Sequence, residues 1–188
     1  MTVLRDINIT LKDHILPKIP EFESDSKSIV FDSPAEINPS GNMLSIFLYQ
    51  IVENGFLRNI NHEPIGTTQL KHPPLAIDLY FIFTVYGKNR ETELLIIERL
   101  MQLFHDTSVL KGDILRGELS TTGNDEIKII PNNLTFEEIN KLWERFPNKP
   151  YKLSASYIIS PVRIPSAKAP ETITRVIERD INLYRKEV

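Results

Sequence analysis

Between Leu75 and Val85 the chain carries the period of a strand. Leu75, Ile77, Leu79, Phe81, Phe83 and Val85 fall on one parity, while Asp78, Tyr80 and Thr84 fall on the other. Successive side chains of a strand point to opposite faces, so this run reads as a long strand with one apolar face, ended by Gly87. Such a strand needs partners along its edges and a layer over that face, which makes a sheet with helices against it the expected architecture. Candidate partners are legible. Met43 to Val52 is apolar at both parities, as a strand buried on two faces should be. Ile29-Val30-Phe31, Phe56 to Ile60, Ile114 to Leu119 and Glu126 to Pro131 read as shorter strands. Tyr151, Leu153, Ala155, Tyr157 and Ile159 alternate in another that runs to Pro161.

Three segments carry a helical period instead. From Thr2 to about Ile19, Leu4, Ile7, Leu11 and Ile15 recur at spacings of three and four, and Pro17 and Pro20 close the run. Glu91 to Phe104 places Leu94, Ile97, Leu100, Met101 and Phe104 on one predicted buried face. The third is marked at its start: Thr135 and Glu138 have the spacing of a capping box, and Leu134 with Ile139 that of a hydrophobic staple. Its stripe is Ile139, Leu142, Trp143 and Phe146, and Pro147 and Pro150 terminate it. The fold class expected is therefore α+β (mixed α/β). One domain over residues 1–164 carries a central, mainly antiparallel or mixed sheet of about five to six strands flanked by about three helices, with a C-terminal arm over 165–188.

Composition excludes several chemistries. With no cysteine, the chain has no disulfide, thiolate nucleophile, iron–sulfur cluster or cysteine-ligated zinc. A net charge of −3 speaks against a nucleic-acid partner, because gripping phosphates takes a basic surface. No apolar run approaches the length of a membrane span, and the first residues lack the apolar core of a signal peptide, so a cytoplasmic chain with no membrane partner is expected.

No catalytic constellation stands out, and no cofactor or metal is called for. The histidines are His14, His62, His72 and His105, none spaced to put two ligands on one helix face. Gly112 and Gly117 have phosphate-loop spacing, but Glu118-Leu119 stands where that loop needs Lys and then Ser or Thr. Glu137-Glu138 is a carboxylate pair whose members point different ways on a helix. Phe81, Phe83, Phe104, Phe136, Trp143 and Phe146 sit at core periodicities, so packing explains them without a base-stacking platform. Asp78, alone on a strand's mixed face, is a candidate catalytic acid, against the default reading of a solvated or salt-bridged aspartate.

The tail differs in texture. Pro165 and Pro170 make a stiff spacer. Beyond it two periods compete: Ile173, Val176, Ile177 and Ile181 fit a helix, whereas Ile173, Ile177, Ile181 and Leu183 share one strand face interrupted by Arg175 and Arg179. Either the tail packs on its own domain, or it is an arm that completes a neighbouring subunit's sheet by strand addition.

Taken in order, several stretches resemble one known family. Pro73-Pro74-Leu75-Ala76-Ile77-Asp78-Leu79-Tyr80 is similar to its proline-led central strand, and Leu100-Met101-Gln102-Leu103-Phe104-His105-Asp106 to the end of its main helix. Its most recognisable stretch is matched by the run from Leu134 to Trp143 followed by Tyr151-Lys152-Leu153-Ser154-Ala155-Ser156-Tyr157. The family is that of the tail cap, or tail terminator, proteins of extracellular contractile injection systems such as the antifeeding prophage and Photorhabdus virulence cassette particles, and the resemblance covers roughly Val3 to Val162.

The resemblance implies a structural protein and no enzyme. It implies a homohexameric ring at the particle end distal to the baseplate, where it stops inner-tube growth and holds the last sheath layer. The implied partners are other copies of the chain, the inner tube protein and the sheath protein, in a phage-tail-like particle assembled in the cytoplasm. Some relatives continue into a further C-terminal domain. Ile173, Val176, Ile177, Ile181, Leu183 and Tyr184 are then the candidate interface residues of the arm. The alternatives are an adaptor at the baseplate or between tube and sheath of the same particle, and a small hydrolase or ligand-binding domain using Asp78.

Overall fold

The alternating run is the centre of the fold. In the computed structural model, which describes residues 2–172 apart from Ser24, Ile60 and Thr67, it forms a strand over Leu75–Tyr86. In chain order the elements are α1 (Val3–Ile15), β1 (Ile29–Val30), β2 (Met43–Glu53), β3 (Glu63–Ile65), β4 (Gln69–Lys71), β5 (Leu75–Tyr86), α2 (Arg90–Asp106), β6 (Val109–Lys111), β7 (Glu126–Pro131), α3 (Phe136–Trp143), β8 (Ser154–Ile164) and β9 (Glu171–Thr172). A six-stranded sheet runs β1-β2-β5-β8-β7-β6, antiparallel throughout except for the parallel β1–β2 pair. A second, small antiparallel sheet runs β3-β4-β9. The class is α+β with a mixed main sheet.

Two bulges curl that sheet. Leu48 pairs with Phe81 and Gln50 with Tyr80, so Tyr49 is an extra residue in β2. Ile77 pairs with Val162 and Leu79 with Ile159, so Ser160 and Pro161 together oppose Asp78. Proline has no N–H to give a ladder, and a bulge is where an interior strand tolerates one; each extra residue also bends its strand.

The odd-numbered side chains of β5 make the main core. Ile77, Leu79, Phe81, Phe83 and Val85 are buried with Ile7, Leu11 and Ile15 of α1 and Ile96, Leu100 and Phe104 of α2. The ring of Phe83 stands edge-on to Phe104 at 5.2 Å and to Tyr157 at 5.7 Å. Truncating one such buried ring to alanine costs about 3–5 kcal/mol, so this cluster fixes how the helices sit on the sheet. The opposite face is covered by α3 and the turn after it. Phe47, the cross-strand partner of Ile82, lies 5.9 Å from the ring of Phe146, and Phe146 in turn packs on Trp143 at 5.3 Å.

Several expectations are corrected. The run at 56–59 is not a strand, Ile60 lying outside the described residues: Asn54 accepts from the N–H groups of Phe56 and Leu57 and folds Gly55–Leu57 into a 3-10 turn. Nor is Ile114 to Leu119, where left-handed glycines at 112 (φ 57°) and 117 (φ 63°) break any extended run; the strand lies earlier, at β6. Helix α1 stops at Ile15 and passes into a 3-10 turn at Leu16–Lys18, because Pro17 has no N–H for the next helical bond. In α2 the buried face is Glu93, Ile96, Ile97, Leu100 and Phe104, while Leu94 and Met101 are exposed. Strand β8 passes through Pro161 to Ile164. Phe136, expected in the core, is 80% exposed at the start of α3, whose buried residue is Trp143 at its other end. In β2, double-sided burial holds only near Leu44–Ile46; Ile51 is exposed.

Candidate interaction surfaces

Among the described residues, uncovered stretches of the β2 and β8 edges and an apolar cleft stand out. Strand β1 covers only Leu44 and Ser45 of β2, so among the described residues the outer edge of β2 beyond Ser45 has no strand partner. Strand β7 ends opposite Tyr157, at Pro131. Beyond that point the Asn132 N–H donates to Ser156 O at 2.9 Å, and among the described residues no strand pairs with the rest of the β8 edge through Ser154, which lines a cleft. The cleft has a volume of about 460 Å³ and is walled by Ile97 and Met101 of α2 on one side and by Leu134 and Ile139 at the staple of α3 on the other. An open strand edge between two apolar walls is the form of site that accepts an extended peptide, since the edge supplies backbone bonds and the walls take alternate side chains.

Local sequence builds this cleft. The capping box of α3 is formed in full, with Thr135 accepting from the Glu138 N–H at 3.3 Å and Glu138 accepting from the Thr135 N–H at 2.8 Å. Those backbone and side-chain bonds hold the exposed Glu138 carboxyl below its ordinary range. The loop that leads into it is tied down by Asn132, which donates to Tyr49 Oη at 2.9 Å and Ser156 Oγ at 3.1 Å. The bulge residue of β2 thereby fixes the loop that ends β7.

Beneath the start of α2 lies a buried charge. Glu93 accepts from Lys152 Nζ at 2.7 Å, Arg90 Nη1 at 3.1 Å and the Gly87 N–H at 3.4 Å. Burial on its own would push this carboxyl up, but the Lys152, Arg90 and Gly87 hydrogen bonds outweigh it and hold it below the ordinary value. The network joins the end of β5, the start of α2 and the entry to β8. Next to it, burial pushes the Tyr86 hydroxyl up to about 12.

The sequence-level candidates are distributed as follows. Asp78 is placed in the β8 bulge, where its carboxylate accepts from Ser160 Oγ and from Asn54 Nδ2; both partners belong to the turn and bulge that it braces. Gly112 and Gly117 serve backbone shape, and the Asp6 carboxylate occupies the space that a Cβ on Gly117 would need. Glu137 pairs with Lys141 at 2.6 Å on the surface of α3. The structure does bring two histidines together, with His62 Nε2 3.3 Å from His72 Nδ1 and His72 Nε2 3.5 Å from Glu171 Oε1. Cross-strand placement joins them, which helix spacing rules cannot see. Ile173, Val176, Ile177, Ile181, Leu183 and Tyr184 lie outside the described residues. No helix among the described residues is long and apolar enough to cross a membrane.

No curated protein sequence matches the chain. Among solved structures, the sheath/tube terminator of PVC, an extracellular contractile injection system, in its extended state shares the fold over 100% of this chain and 65% of its own, with a TM-score of 0.71 at 17% identity. The tube-terminating cap of the anti-feeding prophage shares it over 97% of this chain and 62% of its own, with a TM-score of 0.67 at 15% identity. The chain thus spans less than two thirds of either structure's length. The family model for the Pvc16 N-terminal domain matches residues 3–178, nearly the whole sequence, and the chain belongs to that family.

Proposed function

We propose that the chain is a structural cap of a contractile injection particle. In this reading it forms a homohexameric ring at the end distal to the baseplate, ends growth of the inner tube and anchors the last sheath layer. Its partners are other copies of itself, the tube protein and the sheath protein, and its role is structural rather than catalytic. The observation that carries this is the fold match, which spans essentially the whole chain in both a sheath/tube terminator and a tube-terminating cap. The surfaces support it as well, because a ring subunit needs open edges and apolar walls, and both the β2 edge and the β8 cleft offer them.

The arm is the natural occupant of the cleft. Ile173, Ile177, Ile181 and Leu183 share one parity, interrupted by Arg175 and Arg179, and in a strand added along the β8 edge that face would meet one of the apolar walls. In the proposed ring, residues 173–188 of one copy lie along the β8 edge of the next. Native mass spectrometry tests this directly. The full chain is expected as a six-subunit species, and a chain ended at Thr172 as a folded monomer. A full-length chain that stays monomeric, or a truncated one that still closes the ring, would overturn the arrangement.

A further inference from the structure

The small sheet gathers two imidazoles and a carboxylate. His62 immediately precedes β3 and His72 immediately follows β4; Glu63 pairs with Lys71, so the next pair outward is His62 opposite His72. Glu171 pairs with Leu70, which shares a face with His72, so Glu171 stands diagonally beside that histidine on the same side of the sheet. One ligand atom from each of the three lies within 4.8 Å of the other two.

The spacing suits a metal ion. Zinc bonds nitrogen at about 2.0–2.1 Å, which puts tetrahedral ligands about 3.3 Å apart; His62 Nε2 and His72 Nδ1 are separated by 3.3 Å. One imidazole gives one nitrogen to an ion, so with Nδ1 of His72 on the metal the Glu171 carboxylate must swing from Nε2 to reach it. Its side chain is 59% exposed and free to do so, whereas His72, at 13%, is held in place. Two imidazoles and a carboxylate are a donor set that zinc takes with one position left for water. Around the site, Glu63 and Asp125 offset Lys71 and Arg163, so the surrounding charge does not repel a cation.

We propose that His62, His72 and Glu171 form a zinc site that clamps β9 to the β3–β4 hairpin. Among the described residues strand β9 is held to β4 by two residue pairs, Gln69 with Thr172 and Leu70 with Glu171, and a shared ion would fix β9 against the hairpin. Zinc binding here holds whether or not the chain caps a tube.

Isothermal titration of zinc chloride into the tag-free full-length chain tests it. One zinc per chain is expected, with affinity at least about tenfold weaker in His62→Gln and in Glu171→Gln, since losing a ligand costs at least what losing an outer partner does. Both residues are solvent-accessible, so these variants fold even if His72→Ala disturbs the hairpin. His105→Ala, on an exposed part of α2, is expected to bind as the parent does. Absence of saturable binding would leave only a hydrogen-bonded relay from His62 through His72 to Glu171 and would overturn the site. So would binding that survives either glutamine variant.

Discussion

At the scale of single residues, the sharpest constraints are steric and electrostatic. Gly117 adopts φ 63° with the Asp6 carboxylate packed where a side chain would begin, and Asp6 Oδ2 accepts the Glu118 N–H at 3.1 Å. Alanine there meets both a left-handed backbone and a clash, so Gly117→Ala is expected to cost about 1–3 kcal/mol or more. A lowered melting temperature would show this; an unchanged one would contradict it. Glu93 has a pH signature. Its folded pKa lies below the ordinary 4.5, so the stability it contributes is complete above that value and is lost as pH falls through the folded one. Glu93→Gln is expected to destabilise the domain by about 1–3 kcal/mol at pH 7. In denaturant titrations the gap to the parent should narrow as pH falls below 4.5, and a gap of constant size down to pH 3 would refute this account of Glu93.

At the scale of elements, the sequence was most informative where one period ran long. The strand at β5, the capping box of α3 and the strand at Glu126–Pro131 are legible directly, although β5 is buried on both faces, Ala76, Ile82, Thr84 and Tyr86 being covered along with the odd-numbered positions after Leu75. Short elements were another matter. Side-chain capping by Asn54 and the left-handed glycines at 112 and 117 overrode apolar runs that looked extended. The three-residue strands β3 and β4 exist only through pairing with each other and with distant β9. The stripe of α2 misplaced Leu94 and Met101 because a helix facing a curled sheet buries a narrower arc than its apolar residues span. The interaction surfaces were invisible for a related reason: the β8 cleft exists because β7 stops at Pro131, and where one strand ends relative to another is not encoded locally. Met101, 52% exposed on that cleft, separates folding from assembly. Met101→Glu is expected to change stability by no more than about 0.5 kcal/mol yet abolish the six-subunit species in native mass spectra. Intact rings in this variant would remove the cleft from the interface.

At the scale of the molecule, layers and edges divide the work. Helices α1 and α2 seal one face of the main sheet and α3 covers the other, so the domain has its own core, while among the described residues parts of the β2 and β8 edges carry no strand. That combination suits a subunit that folds first and joins neighbours afterwards. In the proposed role this chain ends the tube. The most direct measurement is the length distribution, by electron microscopy, of particles made in cells with and without it. The account predicts that without the chain tubes lose their fixed length, becoming longer and more variable with the last sheath layer unanchored, and that the full chain supplied from a plasmid restores the narrow distribution. Particles of normal length with normally extended sheaths in its absence would contradict it.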